Sequence, residues 1–525
     1  MKIGINALKY FLKTKCSNEE IIESLTKCGL EVDGLENRKQ ILKDFVVAKV
    51  LEVKKHEQSD KLNICKVDNG KEVLQVICGA KNVRAGLYVV FANIGSLIPQ
   101  NNLIIKKANI RGIESCGMIC SAEELCLKDF YNNWKGYNCY KDINLQYCPF
   151  DDIFNSQVAD SNQDKYEWIE EGIIELSQGD SDLFKVGTSF FDYLKIDPII
   201  IDVAITPNRG DCTSLIGIAR TLATFSCGEI NFESINKITN FNNFNNNNKI
   251  DIKIQVNNED CKNVSFTKIS SVVPSSSNPF IVNIMKDCGF ESKNVLIDST
   301  NLAMFVFGRP MHTYDADKLD LSKPIVIKKL DKNDNLSFSP IVSTKNLTSD
   351  SQEIFNLCEG SVVIQNNNKN ISLAGIMGGI ETCVSNTTQN ILLECAYFNP
   401  SDIVRSIRNN NIQSQSSYRF ERGVDVSITA LATKFAINII FSHCKNAVVY
   451  NSCVLEHKID DKIIEISLLE INNKLGESLS KDEVLNLLNR IFYTNQITQN
   501  RPIDVKNNDV FVINIPHYRH DISIK

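Results

Sequence analysis

Three stretches of this chain carry a hydroxyl, an amide, an imidazole, a carboxylate and clustered glycines that could line one pocket. Residues 371–400, ISLAGIMGGIETCVSNTTQNILLECAYFNP, place Gly375, Gly378 and Gly379 after an alternating apolar run, then a single carboxylate, Glu394, inside a second one. Glycines grouped at a strand end let backbone approach a ligand closely. A carboxylate flanked by Ile391, Leu392, Leu393, Cys395 and Ala396 is part-buried and needs a partner. Residues 294–315, NVLIDSTNLAMFVFGRPMHTYD, add the Thr300 hydroxyl, the Asn301 amide and the His312 imidazole. The third stretch, IDVAITPNRGDC from Ile201, turns at Pro207 to Asp211. Each has a plain structural reading as well: a turn with a structural carboxylate, a satisfied core histidine, and Arg209 pinning the turn through Asp211. No Ser/His/Asp nucleophile set is visible.

The elements that must position these groups follow from pattern. Ser17 and Glu20 form a capping box ahead of Ile21, Ile22 and Leu25, so a helix follows the first short strand. From Phe45 onward short alternating strands are separated by turn signals at Asp68-Asn-Gly70, Arg84-Ala-Gly86 and Asn93-Ile-Gly95, the pattern of a small barrel. Basic side chains recur there, namely Lys54, Lys55, Lys61, Lys81, Arg84, Lys106, Lys107 and Arg111. They suit either a nucleic-acid backbone or an ordinary solvated face. Residues 128–170 are aromatic and polar and read as a surface insertion, after which 171–200 resume the opening scaffold. A strand, turn and helix cover 201–228, and the asparagine-rich segment 240–248 reads as a linker. Residues 294–301 read as the end of a strand running on into an apolar helix. Ser480 and Glu483 make a second capping box, and PHYRHDISIK ends the sequence. His517 and His520 are spaced HxxH but read as loop residues.

The composition sets bounds. With 525 residues the chain is too long for one core, and about three to five domains are expected. A net charge of -6 argues against a uniformly basic nucleic-acid binder but not against local basic patches. The first residues lack an apolar signal core and no run reaches membrane-spanning length. The 18 cysteines are scattered without CxxC pairs, which fits reduced thiols in a cytoplasmic protein.

Two sets of motifs resemble known families. VLEVKKHEQSDKLNICKVDNG, VICGAKNVRAG and ANIRGIESCGMICSAEELCL are similar to the tRNA-binding oligonucleotide-fold (OB) domain, although the position after His56 is Glu57 where that family usually has proline. IDVAITPNRGDCTSLIGIAR, LIDSTNLAMFVFGRPMHTYDADKL, SLAGIMGGIETCVSNTTQNILLECAYF and SYRFERGVD resemble, in order, the bacterial phenylalanyl-tRNA synthetase β-subunit family.

That resemblance implies an α+β multidomain chain. A small α+β scaffold (1–40 and 171–200) carries an inserted OB β-barrel (41–127) and the insertion 128–170. A mixed α/β editing module (201–460) and a winged-helix-like module (461–525) follow. It further implies hydrolytic editing of tyrosine wrongly esterified to phenylalanine tRNA. An apolar synthetic pocket rejects an added hydroxyl by only about 100-fold, whereas a polar second pocket has the opposite bias. Carried over by position, the editing residues are Thr300, Asn301, His312, Gly375, Gly378 and Glu394. Glu394 would read the tyrosine hydroxyl beside the Gly375 backbone, with His312 and Thr300 at the ester end or the attacking water.

The implied partners are an α subunit in an α2β2 tetramer and tRNA(Phe), with ATP used in the α subunit and no membrane. Magnesium would bind Asp521 together with acidic residues that continue the family motif. The chain departs from the family at Cys261-Lys-Asn-Val264, at Glu291-Ser292 and at Ser414-Gln-Ser416-Ser417, where Ser416 replaces a methyl group with a hydroxyl. The expectation is a fragment spanning the first two-thirds of such a subunit. A free-standing mischarged-tRNA hydrolase and an inert tRNA-binding fragment are the competing readings.

Overall fold

The computed structural model describes residues 1–127, 149–155, 172–176, 185–194, 196–240, 252–256, 261–341, 354–450, 452–456, 462–493, 503–506 and 509–522. Most of the 128–170 insertion and residues 241–248 of the linker lie outside these residues. Among the described residues no helix is long and apolar enough to cross a membrane.

The opening scaffold is a three-stranded antiparallel sheet of Lys2–Gly4, Ile199–Val203 and Val32–Asn37, with Ile199–Val203 in the middle. The helix Asn18–Lys27 starts at the expected capping box, with both reciprocal bonds between Ser17 and Glu20 made. Its apolar stripe buries Ile21 and Leu25 in a core shared with helices Leu215–Thr224, Val295–Phe307 and Thr429–His443. Between the second and third scaffold strands lies a sheet ordered Met118–Ile119, Tyr88–Ala92, Phe45–His56, Ser59–Asp68 and Val73–Cys78. Its far strand is tied back toward the first: Cys116 N donates to Gln75 O at 2.9 Å and Ile77 N to Ser115 Oγ at 3.1 Å.

Two expectations about the inserted region change. Helix Pro149–Asn155 is no surface feature, since Phe150 and Ile153 are fully buried and the Phe150 ring packs on Tyr10, Phe11 and Phe435. Glu175–Leu176 does not rejoin the scaffold sheet but pairs with Tyr88–Ala92. Asn82 explains this, because its amide brackets Ile173, donating to its carbonyl at 2.9 Å and accepting from its N–H at 3.0 Å.

Two five-stranded sheets make the larger middle module. One contains His312–Asp315, Asn390–Phe398, Cys261–Ser270 and Val448–Val449, with Cys453–Glu456 also on Cys261–Ser270. The other runs Ile254–Val256, Ile325–Lys329, Val362–Asn366, Lys369–Leu373 and Met377–Gly378. Asn390–Phe398 is buried on both faces. Ile391 and Leu393 face the helical core, whereas Leu392, Ala396 and Phe398 face a second core shared with Val362, Val363 and Leu373. By strand alternation Glu394 belongs to the second face.

The expected strand end at 294–301 is absent; Val295–Phe307 is one helix. Asn294 caps it by accepting from Leu296 N and Ile297 N at 3.1 Å. The segment is apolar nearly all round because the helix is buried, so no amphipathic period marks it.

At the end of the chain, Lys462–Ser467, Val510–Ile515 and Ile503–Lys506 form an antiparallel sheet with helices Leu468–Leu475 and Lys481–Tyr493 between the first two strands in sequence. Its spatial order, first strand beside last beside middle, repeats that of the opening scaffold. An Arg-x-Asp fork follows the last strand in both units. Arg209 donates to both Asp211 oxygens at 3.0 Å, and Arg519 to both Asp521 oxygens at 2.8 Å.

A buried charge pair joins scaffold to middle module. Arg38 donates to Asp287 at 2.6 Å, and Asp287 is 3% exposed. Removing one partner of a buried pair strands the other charge. Arg38→Ala is therefore expected to lower unfolding stability at pH 8 by about 3 kcal/mol. The loss should shrink under acid, because burial holds the Asp287 carboxyl above its usual range and it then takes up a proton. Urea denaturation at both pH values checks this; a loss below about 0.5 kcal/mol at pH 8 would show the pair to be dispensable.

Candidate active site

Strand pairing assembles the site. His312 lies directly opposite Glu394 across an antiparallel pair, and Phe266 flanks Glu394 on the other side. Two residues along, on the same face, Tyr314 donates its hydroxyl to Glu394 Oε2 at 2.7 Å. Tyr314 is fully buried and Glu394 only 6% exposed. Burial pushes the Glu394 carboxyl up to about 7, with the Tyr314 bond and the Arg309 charge pulling the other way. At neutral pH this carboxyl therefore exists in both forms, able to accept a hydrogen bond or to donate one. The phenol of Tyr314 is held well above its ordinary range, first by burial and then by Glu394.

His312 packs edge-on to the Tyr314 ring at 4.5 Å. Burial lowers it to about 4, so the imidazole is neutral at pH 7. Its Nε2 is shut off from solvent with no hydrogen-bond partner among the described residues. Gly378 explains how the ring fits: a Cβ there would come 2.2 Å from His312 Cε1 and 2.4 Å from Nε2. Gly375 has a different job. Its φ of +67° makes the turn, and a Cβ would sit 2.9 Å from Phe398 and Ile403 atoms. The loop between them is pinned by Ser372 Oγ donating to Met377 O at 3.0 Å and Ser414 Oγ donating to Ile376 O at 2.6 Å. Ser414 also caps the helix Gln415–Phe420, in which Ser416 donates to the Met304 sulfur at 3.8 Å.

The structure thus brings His312, Glu394 and Gly378 together. It puts Gly375 in the same loop but against Phe398, Ile403 and Phe420. The Thr300 hydroxyl is bonded within its own helix to Ile297 O at 2.7 Å, and Asn301 is half-buried one residue on. Among the described residues no hydrogen bond links Thr300 or Asn301 to His312 or Glu394. The sequence reading missed two residues, Tyr314 and Arg309. Tyr314 could have been found by placing 312–315 in a strand, since residues two apart share a face. Arg309 is fully buried, its Nε 3.5 Å from Cys395 Sγ, and its two terminal nitrogens have no partner among the described residues.

All eight basic residues named between Lys54 and Arg111 are exposed. Arg84 is held by Glu175, Lys107 by Glu114, and Arg111 donates to Gln58 O. Lys54, Lys55, Lys61 and Lys106 have no ion-pair partner among the described residues. The first three sit at the tip of the hairpin formed by Phe45–His56 and Ser59–Asp68. Asp521 has both oxygens on Arg519, and among the described residues no three His, Cys, Asp or Glu side chains cluster as metal ligands. Magnesium takes an oxygen octahedron and competes poorly for a carboxylate already forked to arginine. The residues described do not fit that ion.

Because the folded pKa of Glu394 lies above its unfolded value, the native state holds more protons between pH 4.5 and about 7. Stability from this group is full below that window and falls as pH rises through it. Glu394→Gln should remove that part of the fall, which is on the order of 3 kcal/mol. Parallel pH–denaturation curves for chain and variant would contradict the burial argument.

The B3/4 domain family matches residues 260–445, and the family described as "Putative tRNA binding domain" matches residues 45–133. The phenylalanine–tRNA ligase beta subunit of Wolbachia sp. subsp. Brugia malayi is 33% identical over 539 residues, covering 100% of this chain and 58% of the relative. That of Rickettsia prowazekii is 32% identical over 546 residues, again covering 100% and 58%. An N-terminal fragment of the Pyrococcus horikoshii phenylalanyl-tRNA synthetase beta subunit covers 62% of this chain and 83% of the fragment at 13% identity and a TM-score of 0.27, too remote to carry an argument. The chain spans just under three-fifths of the length of the curated relatives it matches. Over its whole length the chain is homologous to phenylalanine–tRNA ligase β subunits.

Proposed function

We propose that the chain supplies tRNA binding and hydrolytic editing of tyrosyl-tRNA(Phe) to a phenylalanine–tRNA ligase. In this reading residues 41–127 are an OB barrel that tracks the tRNA backbone. Residues 201–460 are the editing module, and 461–525 a winged-helix-like module. The synthetic step, with ATP, belongs to an α subunit in an α2β2 cytoplasmic assembly. One observation carries the editing assignment: a buried carboxyl whose Oε2 is held by Tyr314 and whose titration lies near neutrality.

Glu394 Oε1 is then the acceptor for a tyrosine hydroxyl. Tyr314 fixes the carboxyl's rotamer, and the neutral His312 closes the pocket beside it. A phenylalanyl group would leave this buried carboxyl unpaired, which disfavours it. The cross-strand pairing puts His312 next to the reading carboxylate, hence at the phenol end of the substrate. Its role is to shape that end, and the attacking water is held by the substrate itself and by backbone groups. Thr300 and Asn301, on the helix behind, serve as support rather than as the hydrolytic group. Lys54, Lys55 and Lys61, unneutralised at one hairpin tip, are the barrel's main phosphate contacts, with Lys81, Lys106 and Arg111 around them.

Deacylation of tyrosyl- and phenylalanyl-tRNA(Phe) tests the reading. The chain should release tyrosine selectively, and Glu394→Ala should reduce tyrosine release tenfold or more with little change for phenylalanine. Gly378→Ala, which drives a methyl into the His312 ring, should also lose release. No release above buffer, with tRNA still bound, would overturn the editing role. For the barrel, changing Lys54, Lys55 and Lys61 together to Gln should flatten the salt dependence of log K for tRNA by about two units of slope. An unchanged slope would remove these residues from the contact surface.

A further inference from the structure

Two hairpins within residues 45–133, the stretch that matches the tRNA-binding domain family, meet apex to apex. The first joins Phe45–His56 to Ser59–Asp68 through the two residues Glu57 and Gln58. The second joins Ala108–Ile110 to Ile113–Ser115 through Arg111 and Gly112. Gln58 is held from both sides. Its N–H donates to His56 Nδ1 at 3.0 Å, and its carbonyl accepts from Arg111 Nη1 at 2.8 Å. His56 Nε2 faces Ile110 O at 3.4 Å. Because Nδ1 is the acceptor, the ring is neutral, carries its proton on Nε2 and donates to the second hairpin. His56 is 4% exposed, although its neighbours Lys55 and Glu57 are open to solvent.

The strand ladder alone does not fix the first apex. Lys55 pairs with Asn63 but His56 pairs with Ser59, so Asp60, Lys61 and Leu62 are extra residues on one side of the ladder. Such a bulge bends the strand and re-aims the side chains around it. The contacts with Ile110 and Arg111 therefore set the direction of the apex and the place of Lys61 relative to Lys54 and Lys55. The second apex carries backbone strain: Arg111 adopts a φ of +50° before Gly112 at +84°, a region uncommon for a residue with a side chain. The charged groups beside His56 are Lys55, Glu57, Asp60 and Lys61 on its own hairpin, with Arg111 and Glu114 on the other. Glu114 is tied to Lys107, and among the described residues none of these side chains bonds the imidazole.

We infer that the two apices form one surface for the phosphate backbone of tRNA, with His56 as its positioning residue, holding the surface together when neutral and releasing it when protonated. This rests on the reading of Lys54, Lys55 and Lys61 as phosphate contacts. A second proton on the ring can go only on Nδ1, where it points at the Gln58 N–H, donor against donor. The Glu57–Gln58 turn then swings away from the ring and from Arg111, and Lys61 loses its place beside the other lysines. The shielded ring cannot reach a phosphate itself, so its charge supplies no contact in return. Acid therefore weakens tRNA binding, the opposite of what one more positive charge on a basic surface would do.

The test is equilibrium binding of a fluorescein-labelled tRNA(Phe) transcript to the full chain at fixed salt, from about pH 8 to about pH 5.5. Affinity should fall about fivefold or more across this range. His56→Ala changes no charge at pH 8 and should still weaken binding there about fivefold. His56→Asn offers an oxygen in place of Nδ1 and does not titrate. It should bind more tightly than the Ala variant at pH 8, with an affinity that stays constant as pH falls. An affinity of the unmodified chain that is flat or rises toward acid would overturn the positioning role. So would an equal fall in His56→Asn, or an Ala variant that binds as well as the unmodified chain. If tRNA is not bound at pH 8, or is bound equally well when Lys54, Lys55 and Lys61 are all changed to Gln, the phosphate-contact reading itself fails and takes this proposal with it.

Discussion

A single buried hydrogen bond, from the Tyr314 hydroxyl to Glu394 Oε2, is the constraint around which the middle module is arranged. Glu394 sits on the strand face that packs against the second sheet, among Leu392, Ala396 and Phe398. An unpaired carboxylate there would be strongly unfavourable. The bond is possible only in the register that sets His312 across from Glu394, since a one-residue slip would turn Tyr314 into the helical core. The same register swings the His312 ring over the Met377–Gly378 strand, and that position can hold only glycine. Ser372 and Ser414 then fix the loop from either side. The candidate pocket and the fold of this module share one set of interactions.

Electrostatics divides the molecule in a similar way. The chain is net acidic, yet the hairpin Phe45–His56/Ser59–Asp68 presents at its tip lysines that no carboxylate among the described residues neutralises, while other basic side chains nearby are tied to Glu175 and Glu114. Deep in the middle module the arginines are of another kind. Arg309 and Arg419 are essentially inaccessible, and Arg419 is bonded to Thr213 O and Gln415. Charges left free at the surface suit an extended polyanion, whereas buried arginine fixes the relation of one segment to another. The Arg-x-Asp forks at 209–211 and 519–521 are half-buried and each ties an arginine into its own turn. They close two sheets of the same strand order at opposite ends of the sequence.

Much of the site was legible in the residues. A lone Glu in an apolar run announces a buried acid, and the glycines before it announce a loop against which something packs. Both capping boxes appear where Ser17 and Ser480 predict them. What stayed hidden depended on long-range pairing. Tyr314 looks like any core aromatic until its strand is set beside Asn390–Phe398. Helix Val295–Phe307 lacks a polar face, so periodicity could not distinguish it from a buried strand. Phe150 sits in a stretch whose composition suggests surface, and only the contacts with Tyr10, Phe11 and Phe435 bring it inside. Asn82, 91 residues from Ile173, decides where Glu175–Leu176 pairs.

The claim that Glu394 reads a tyrosine hydroxyl is tested most directly by equilibrium binding. The ligands are 3′-amide analogues of tyrosyl- and phenylalanyl-adenosine, which cannot be hydrolysed and so separate recognition from chemistry. The account predicts that the chain binds the tyrosyl analogue at least tenfold more tightly, and that the preference disappears in Glu394→Ala with the phenylalanyl affinity nearly unchanged. Equal affinity for the two analogues in the unmodified chain, or a preference that survives the loss of Glu394, would contradict it.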